Sequence, residues 1–213
     1  MSVIMEGVST SGLSLVPMTE LQAMNLMLSS IGESEVDSVS STVEEAALAR
    51  RILHRVSRQV QSKGLHCNVD SYYKLERDGD NKIPIPSNAL RVDAYYKGSD
   101  YVVRGSFLYN KEINEQTFVF DDDVYVDIVW FLDYEDLPQP IRNYIAIRAG
   151  RVFQAETIGA ENLAGFTEFA ESEAKLEMME YESDIGEHNI FESFSMGNVI
   201  DRVNNPIRLG RRR

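Results

Sequence analysis

Residues 42–64 read TVEEAALARRILHRVSRQVQSKG, and residues 65–75 continue LHCNVDSYYKL. The change of texture between these two stretches decides the fold. In the first, Ala46, Ala49, Leu53, Val56 and Val60 recur at spacings of three and four, the period of an α-helix with one face turned to another helix. Thr42 and Glu45 fit a capping box at its start, and Lys63-Gly64 a stop. At 1.5 Å per residue such a helix is about 30 Å long. Its other face carries Arg51, Arg55, Arg58 and Ser62. A basic face this regular suits either solvent or an acidic neighbour.

From Leu65 to about Leu137 apolar residues alternate or cluster in short runs rich in Tyr, Val, Ile and Phe. Asp78-Gly79-Asp80-Asn81 is one turn; Lys97-Gly98-Ser99-Asp100 is another, between 92–96 and 101–103. Asn110 to Gln116 links 107–109 to 117–120, and Asp121-Asp122-Asp123 precedes the strongest strand, Val124 to Leu132. Short connections imply antiparallel pairing. Pro84 and Pro86 confine Ile85 to an edge or a loop.

Working outward, Thr19 and Gln22 form a capping box before Leu21, Met24, Leu28 and Ile31, and Gly32 is the expected left-handed stop. Residues 1–17 lack periodicity and read as a flexible arm. Beyond the strands, Pro138 and Pro140 open a third helix continued by Ile141, Ile145, Arg148, Ala149, Val152 and Phe153, with Gly159 interrupting. A fourth helix over about 162–184 carries Leu163, Phe166, Phe169, Ala170, Ala174, Leu176 and Met179, and Gly186 stops it. Its polar face is acidic, with Glu168, Glu171, Glu173, Glu177, Glu180 and Glu182. Residues 191–213 form a tail carrying Arg208, Arg211, Arg212 and Arg213. Runs of helices, then strands, then helices indicate an α+β fold: a helical bundle from 18–64 plus 138–190, with an antiparallel β-domain, 65–137, inserted.

The 213 residues contain 34 acids against 21 bases, net −13, which disfavours a general nucleic-acid binder that must neutralise phosphates. No run approaches the roughly 18 apolar residues of a membrane span, and the opening Met1 to Glu6 has no basic region like that of a secretory signal. The expectation is a soluble, reduced, intracellular protein without membrane partners. Catalytic signatures are missing: there is no Gly-rich phosphate loop and no Gly-x-Ser-x-Gly. The single cysteine, Cys67, excludes an internal disulfide, and three histidines with one thiol make a poor zinc set. His54 sits on a helix flank as a surface or interface residue. His66 and Cys67, adjacent at a strand start, would point to opposite faces, which disfavours a dyad. His188 follows the last helix without a partner in register. Asp121-Asp122-Asp123, with Asp127 nearby, is the best metal candidate, yet it lacks calcium-loop spacing and reads as a turn. No catalytic residue, metal site or cofactor is therefore expected. With 34 acids, some carboxylate pair will always have glycosidase spacing, so that test has no power here.

The strings Ala49 to Gly64, Leu132 to Pro138 with Ile141 to Ile145, and Met179 to Gly186 resemble the tail tubular protein A family of short-tailed, autographivirus-type bacteriophages; so does Leu21 to Glu33. The likeness runs over roughly 18–190 and is looser in 70–125 and 191–213. It implies a structural virion protein of the short tail, assembled in the host cytoplasm. Such a protein is a head-to-tail adaptor: a dodecameric ring between the portal protein and the tail nozzle protein (tail tubular protein B), near the tail-fibre attachment. DNA passes through without sequence-specific binding. A ring needs heterologous interfaces, and Arg51, Arg55 and Arg58 on one helix suit Glu173, Glu177 and Glu180 on another. Arg208, Arg211, Arg212 and Arg213 are the candidate portal contact. The alternative of a different class is a tail-borne cell-wall or polysaccharide hydrolase.

Overall fold

The computed structural model describes residues 17–96, 99–112, 117–159 and 167–190. Among these residues, four helices and five strands follow the anticipated order: α1 (Glu20–Ser29), α2 (Glu44–Gln61), β1 (Val69–Leu75), β2 (Ala89–Ala94), β3 (Tyr101–Arg104), β4 (Phe107–Asn110), β5 (Val124–Trp130), α3 (Gln139–Thr157) and α4 (Glu168–Ile190). The fold is α+β, with all strand pairs antiparallel.

The helices share one apolar core. Helix α3 sits at its centre and packs against α1, α2 and α4. Its Tyr144 and Phe153 are fully buried beside Met24, Met27 and Leu28 of α1 and Ile52 and Leu53 of α2. All five residues of the anticipated α2 seam are buried. The Thr19–Gln22 capping box forms, with Thr19 Oγ1 accepting from the Gln22 amide at 3.2 Å. Gly32, at φ +83°, closes α1: the Glu33 amide reaches back to the Leu28 carbonyl at 3.1 Å, the pattern of a left-handed stop.

The strands build a second core. Strand β5 lies between β1 and β2, while β3 and β4 form a separate hairpin turning through Gly105, at φ +65°. Val124, Val126 and Ile128 of β5 meet Leu75, Ile83, Val92, Leu108 and Phe120. Two buried amides fasten this module to the helices. Gln61 Nε2 donates to the Leu132 carbonyl at 3.0 Å and its Oε1 accepts from the Leu132 amide at 2.8 Å. Asn68 Nδ2 donates to the carbonyls of Gln61 and Trp130, at 3.1 and 2.7 Å. These bonds satisfy backbone groups where the chain leaves one core for the other.

The structure corrects several sequence expectations. The Thr42–Glu45 capping box does not form. Val43 is the N-cap and makes no side-chain cap bond; Thr42 lies one residue too early. The buried face of α1 is Ala23, Met24, Met27 and Leu28, with Leu21 and Ile31 at its margin. The 92–96 and 101–103 segments do not pair with each other: β2 joins β5, and β3 joins β4. Local turn signals fix where a strand ends, not which strand it meets. His66 and Cys67 lie in a 3₁₀ turn, His66–Asn68, rather than at a strand start.

Helix α4 differs most. It begins at Glu168 and continues through Gly186 to Ile190, so Gly186 is not a stop and His188 lies within the helix. A helical glycine costs only about 1 kcal/mol relative to alanine, which a long helix tolerates. Ala174 and Met178 face the core, whereas Phe169, Leu176 and Met179 are 76%, 57% and 53% exposed. The expected apolar residues fall on two faces, and ion pairs to α3 accompany the face that turns inward. Arg151 bonds Glu171 and Glu168, both at 2.7 Å, and Arg148 lies 3.5 Å from Glu171. Leu163, Phe166, residues 1–16 and the tail 191–213, including Arg208, Arg211, Arg212 and Arg213, lie outside the described residues.

Candidate interaction surfaces

The exposed face of α2 presents the basic row read from sequence, but its members differ. Arg55 is engaged within the chain, its Nη2 bonding Glu156 Oε1 at 2.5 Å. Arg58 lies over the Phe131 ring, 4.5 Å from its centroid. Arg51 has no ion-pair partner among the described residues and is exposed. It lines a groove with Val39, Ser40, Ser41, Ala47, Arg50 and His54.

Beside this groove, Glu20 of α1 receives Arg50 Nε at 3.0 Å and His54 Nε2 at 2.8 Å. Burial pushes the Glu20 carboxyl up, but hydrogen bonds from His54 and Arg50 outweigh it and hold the group below the usual carboxylate range. The cluster walls a cleft of about 240 Å³ with Phe131, Asp133, Tyr134 and Glu135. Sequence reading placed His54 on a flank but missed its tie to Glu20, since residues 34 apart announce no contact.

Two residues of the cleft lining, Tyr134 and Glu135, bond Arg142, a buried arginine of α3. Its Nη1 donates to the Met18 carbonyl at 2.9 Å and its Nε to the Leu137 carbonyl at 2.5 Å; Nη2 donates to the Glu135 carbonyl. Tyr134 returns a bond to the Arg142 carbonyl at 3.0 Å. Burial raises the Tyr134 hydroxyl far above its ordinary value, so it remains a donor. Arg142 thus ties the start of α1 to the link between β5 and α3.

On α4, Glu173, Glu177 and Glu180 are all exposed. Glu173 and Glu180 share the outward side with Phe169 and Leu176, at helical spacings of three, four and seven. Glu177 lies to the flank and accepts from Asn143 Nδ2 at 3.3 Å. Helix α3 packs on both α2 and α4.

Catalytic chemistry gains no support from the geometry. No group of three or more His, Cys, Asp or Glu side chains able to hold a metal occurs among the described residues. Asp123 bonds Lys74 at 2.9 Å and accepts from the Arg77 amide at 3.1 Å, and these partners lower its carboxyl below the usual range. Glu20 also moves down, the opposite of what a glycosidase general acid needs. Burial and the Glu182 charge push the Cys67 thiol up to about 11, which keeps it protonated and a poor nucleophile. No helix among the described residues is long and apolar enough to cross a membrane.

Comparison with known proteins gives the family. A family model described as tail tubular protein matches residues 21–188. The tail tubular protein A of Klebsiella phage KP34 is 35% identical over 171 residues, covering 77% of this chain and 87% of that relative. The matched span runs from α1 into the last turns of α4 and so takes in both cores. The chain belongs to the tail tubular protein family, a structural component of bacteriophage tails.

Proposed function

We propose that this chain is a non-enzymatic head-to-tail adaptor: a ring, dodecameric in the virion, that joins the portal protein to the tail nozzle protein near the tail-fibre attachment. DNA traverses its centre. The single observation that carries the reading is the pairing of two unpartnered surfaces of opposite character on one chain. One is the outward side of α4, with Phe169, Leu176, Glu173 and Glu180; the other is the α2 groove with Arg51. Surfaces that differ on a protomer can meet head to tail, and such contacts close into a ring when the rotation between copies closes. Apolar side chains supply the buried area at such an interface, and the charges fix register and partner choice. A net charge of −13 suits a channel that repels DNA phosphates and lets the duplex slide.

Two refinements follow from the geometry. Arg51 is the leading interface arginine of α2, because Arg55 and Arg58 are already engaged within the chain. The two separate cores support a division into a helical module, 18–64 plus 138–190, and a β-module, 65–137, although Leu65, Tyr134 and Leu137 pack with the helices. Arg208, Arg211, Arg212 and Arg213 are proposed as portal contacts, which places the virion's head-side junction at the C-terminal segment. Assembly of the ring onto the portal would take place in the host cytoplasm.

Charge reversal with rescue tests the reading. Arg51→Glu should stop adaptor incorporation into virions while leaving the thermal transition within a few degrees of wild type. Adding Glu173→Lys and Glu180→Lys in the same chain should restore it. Incorporation unchanged by Arg51→Glu would remove the α2–α4 interface from the account.

A further inference from the structure

The outer face of the β-module carries four tyrosines that the adaptor reading does not use. Tyr72 stacks on Tyr125 with ring centroids 4.2 Å apart, and Tyr95 meets Tyr72 edge-on at 4.9 Å. Tyr96 packs against Tyr95 at 5.3 Å, and its hydroxyl donates to that of Tyr72 at 3.4 Å. Despite this mutual packing, Tyr72 and Tyr96 remain 49% and 55% exposed. Tyr72 stands at φ +60°, within a register shift of the β1–β5 ladder. An aromatic residue in the left-handed region is uncommon; here it turns the ring onto the platform.

The surroundings are acidic. Asp93 of β2 lies directly opposite Asp127 of β5 on the ladder, and cross-strand like charges repel. Arg91 answers Asp93 at 2.8 Å, while Asp127 accepts the Tyr72 amide at 3.3 Å and has no ion-pair partner among the described residues. Next to the rings, Tyr96 and Tyr125 line a cleft of about 240 Å³ together with Asp121, Asp122 and Asp123, the last of which is paired with Lys74. The first two carboxylates have no ion-pair partner among the described residues. Partly exposed tyrosine rings beside unpaired carboxylates are complementary to guanidinium groups, which stack on rings and bond carboxylates. The chain already uses this contact elsewhere, with Arg104 3.7 Å from the centroid of Tyr109.

An arginine-rich segment is close at hand. Glu182 of α4 accepts from the His66 amide at 2.8 Å, so α4 passes beside the turn that leads into β1. Only five residues lie between His66 and Tyr72, at most about 20 Å of chain. Residues 191–213 can extend to about 75 Å and contain Arg208, Arg211, Arg212 and Arg213. We infer that the tyrosine platform of the β-module holds the arginine-bearing segment 208–213 of the same chain while the adaptor is free. The segment's tether to the platform favours this over capture of a second copy, through a high effective concentration. A portal that takes the same arginines must then compete for them, which keeps the segment from binding other anions before docking. The inference concerns the free chain alone, so its outcome is independent of the ring.

The test uses full-length chains. In one, Arg208→Gln, Arg211→Gln, Arg212→Gln and Arg213→Gln empty the platform. A fluorescent peptide of residues 199–213 should bind this variant at least about tenfold tighter than it binds wild type, whose own segment occupies the site. Tyr95→Ala with Tyr96→Ala in the Gln variant should weaken peptide binding about fivefold or more, with melting checked by circular dichroism. Both side chains sit outside the cores, so the fold should survive. Asp122→Asn should also weaken binding, and added salt should erode it. Equal peptide affinity for wild type and the Gln variant, or no binding to either, overturns the inference. So does binding indifferent to the tyrosine changes. A wild-type dimer that dissolves in the Gln variant would replace the same-chain contact with one between copies.

Discussion

At the residue scale, Gly64 shows how little freedom the junction between the two cores leaves. It stands at φ +77°, and a Cβ there would lie 3.3 Å from Val69, 3.4 Å from Arg91 and 3.5 Å from Val129. Gly64→Ala should therefore destabilise by about 1–3 kcal/mol in a urea titration. Gly79→Ala, where nothing approaches within 4 Å, is the near-neutral comparison. A glycine at the end of α2 was readable from sequence; the closeness of β1, β2 and β5 around it was not, because that depends on chain distant in sequence. Glu20 gives a second prediction. Its carboxyl titrates below its unfolded value, so its contribution is present above the ordinary carboxylate range and is lost as pH falls through the lowered value. Glu20→Gln should lower stability near neutrality by about 1 kcal/mol and flatten the acid side of the melting-temperature profile. An unchanged acid limb would show that His54 and Arg50 contribute nothing through Glu20.

At the element scale, α2 and α4 mark the two ends of what sequence can reveal. Every seam position of α2 is buried, because its apolar residues occupy one stripe and its arginines the other. In α4 the apolar residues lie on two sides, so periodicity could not choose between them. Ala174 and Met178 face the core, and Arg148 and Arg151 reach Glu168 and Glu171 across the same α3–α4 contact. Met178→Ala should accordingly cost about 2 kcal/mol or more of folding stability. Leu176→Ser should change it by no more than about 0.5 kcal/mol, while reducing ring formation measured by native mass spectrometry. Gly186→Ala should stabilise α4 by about 0.5–1 kcal/mol, since the position is helical and open space surrounds it. A loss of stability there would mean that the glycine serves a packing role. Most strands were similarly legible, although 117–120 makes only isolated bridges, and strand partnership was not: turn residues mark the strand ends, but β5 collects β1 and β2 from far along the chain.

At the scale of the whole molecule, the helical core and the β core are each modest, and the buried amides of Gln61 and Asn68 couple them. Asn68→Ala should remove bonds to the Gln61 and Trp130 carbonyls and cost about 1–3 kcal/mol; separation of the helical and β transitions in calorimetry would show that this link makes the two cores unfold together. The order of elements and the resemblance were sufficient to place the chain among tail tubular proteins. The interface surfaces were legible only in part, since Arg51, Arg55 and Arg58 look alike in sequence and differ in the structure by their partners. The central claim is the adaptor ring, and electron microscopy of this protein mixed with its cognate portal tests it most directly. The account predicts a ring of added density at the narrow end of the portal, with neighbouring protomers meeting through α2 and α4. A portal without added density, beside a protein that stays monomeric at every salt concentration, would contradict it.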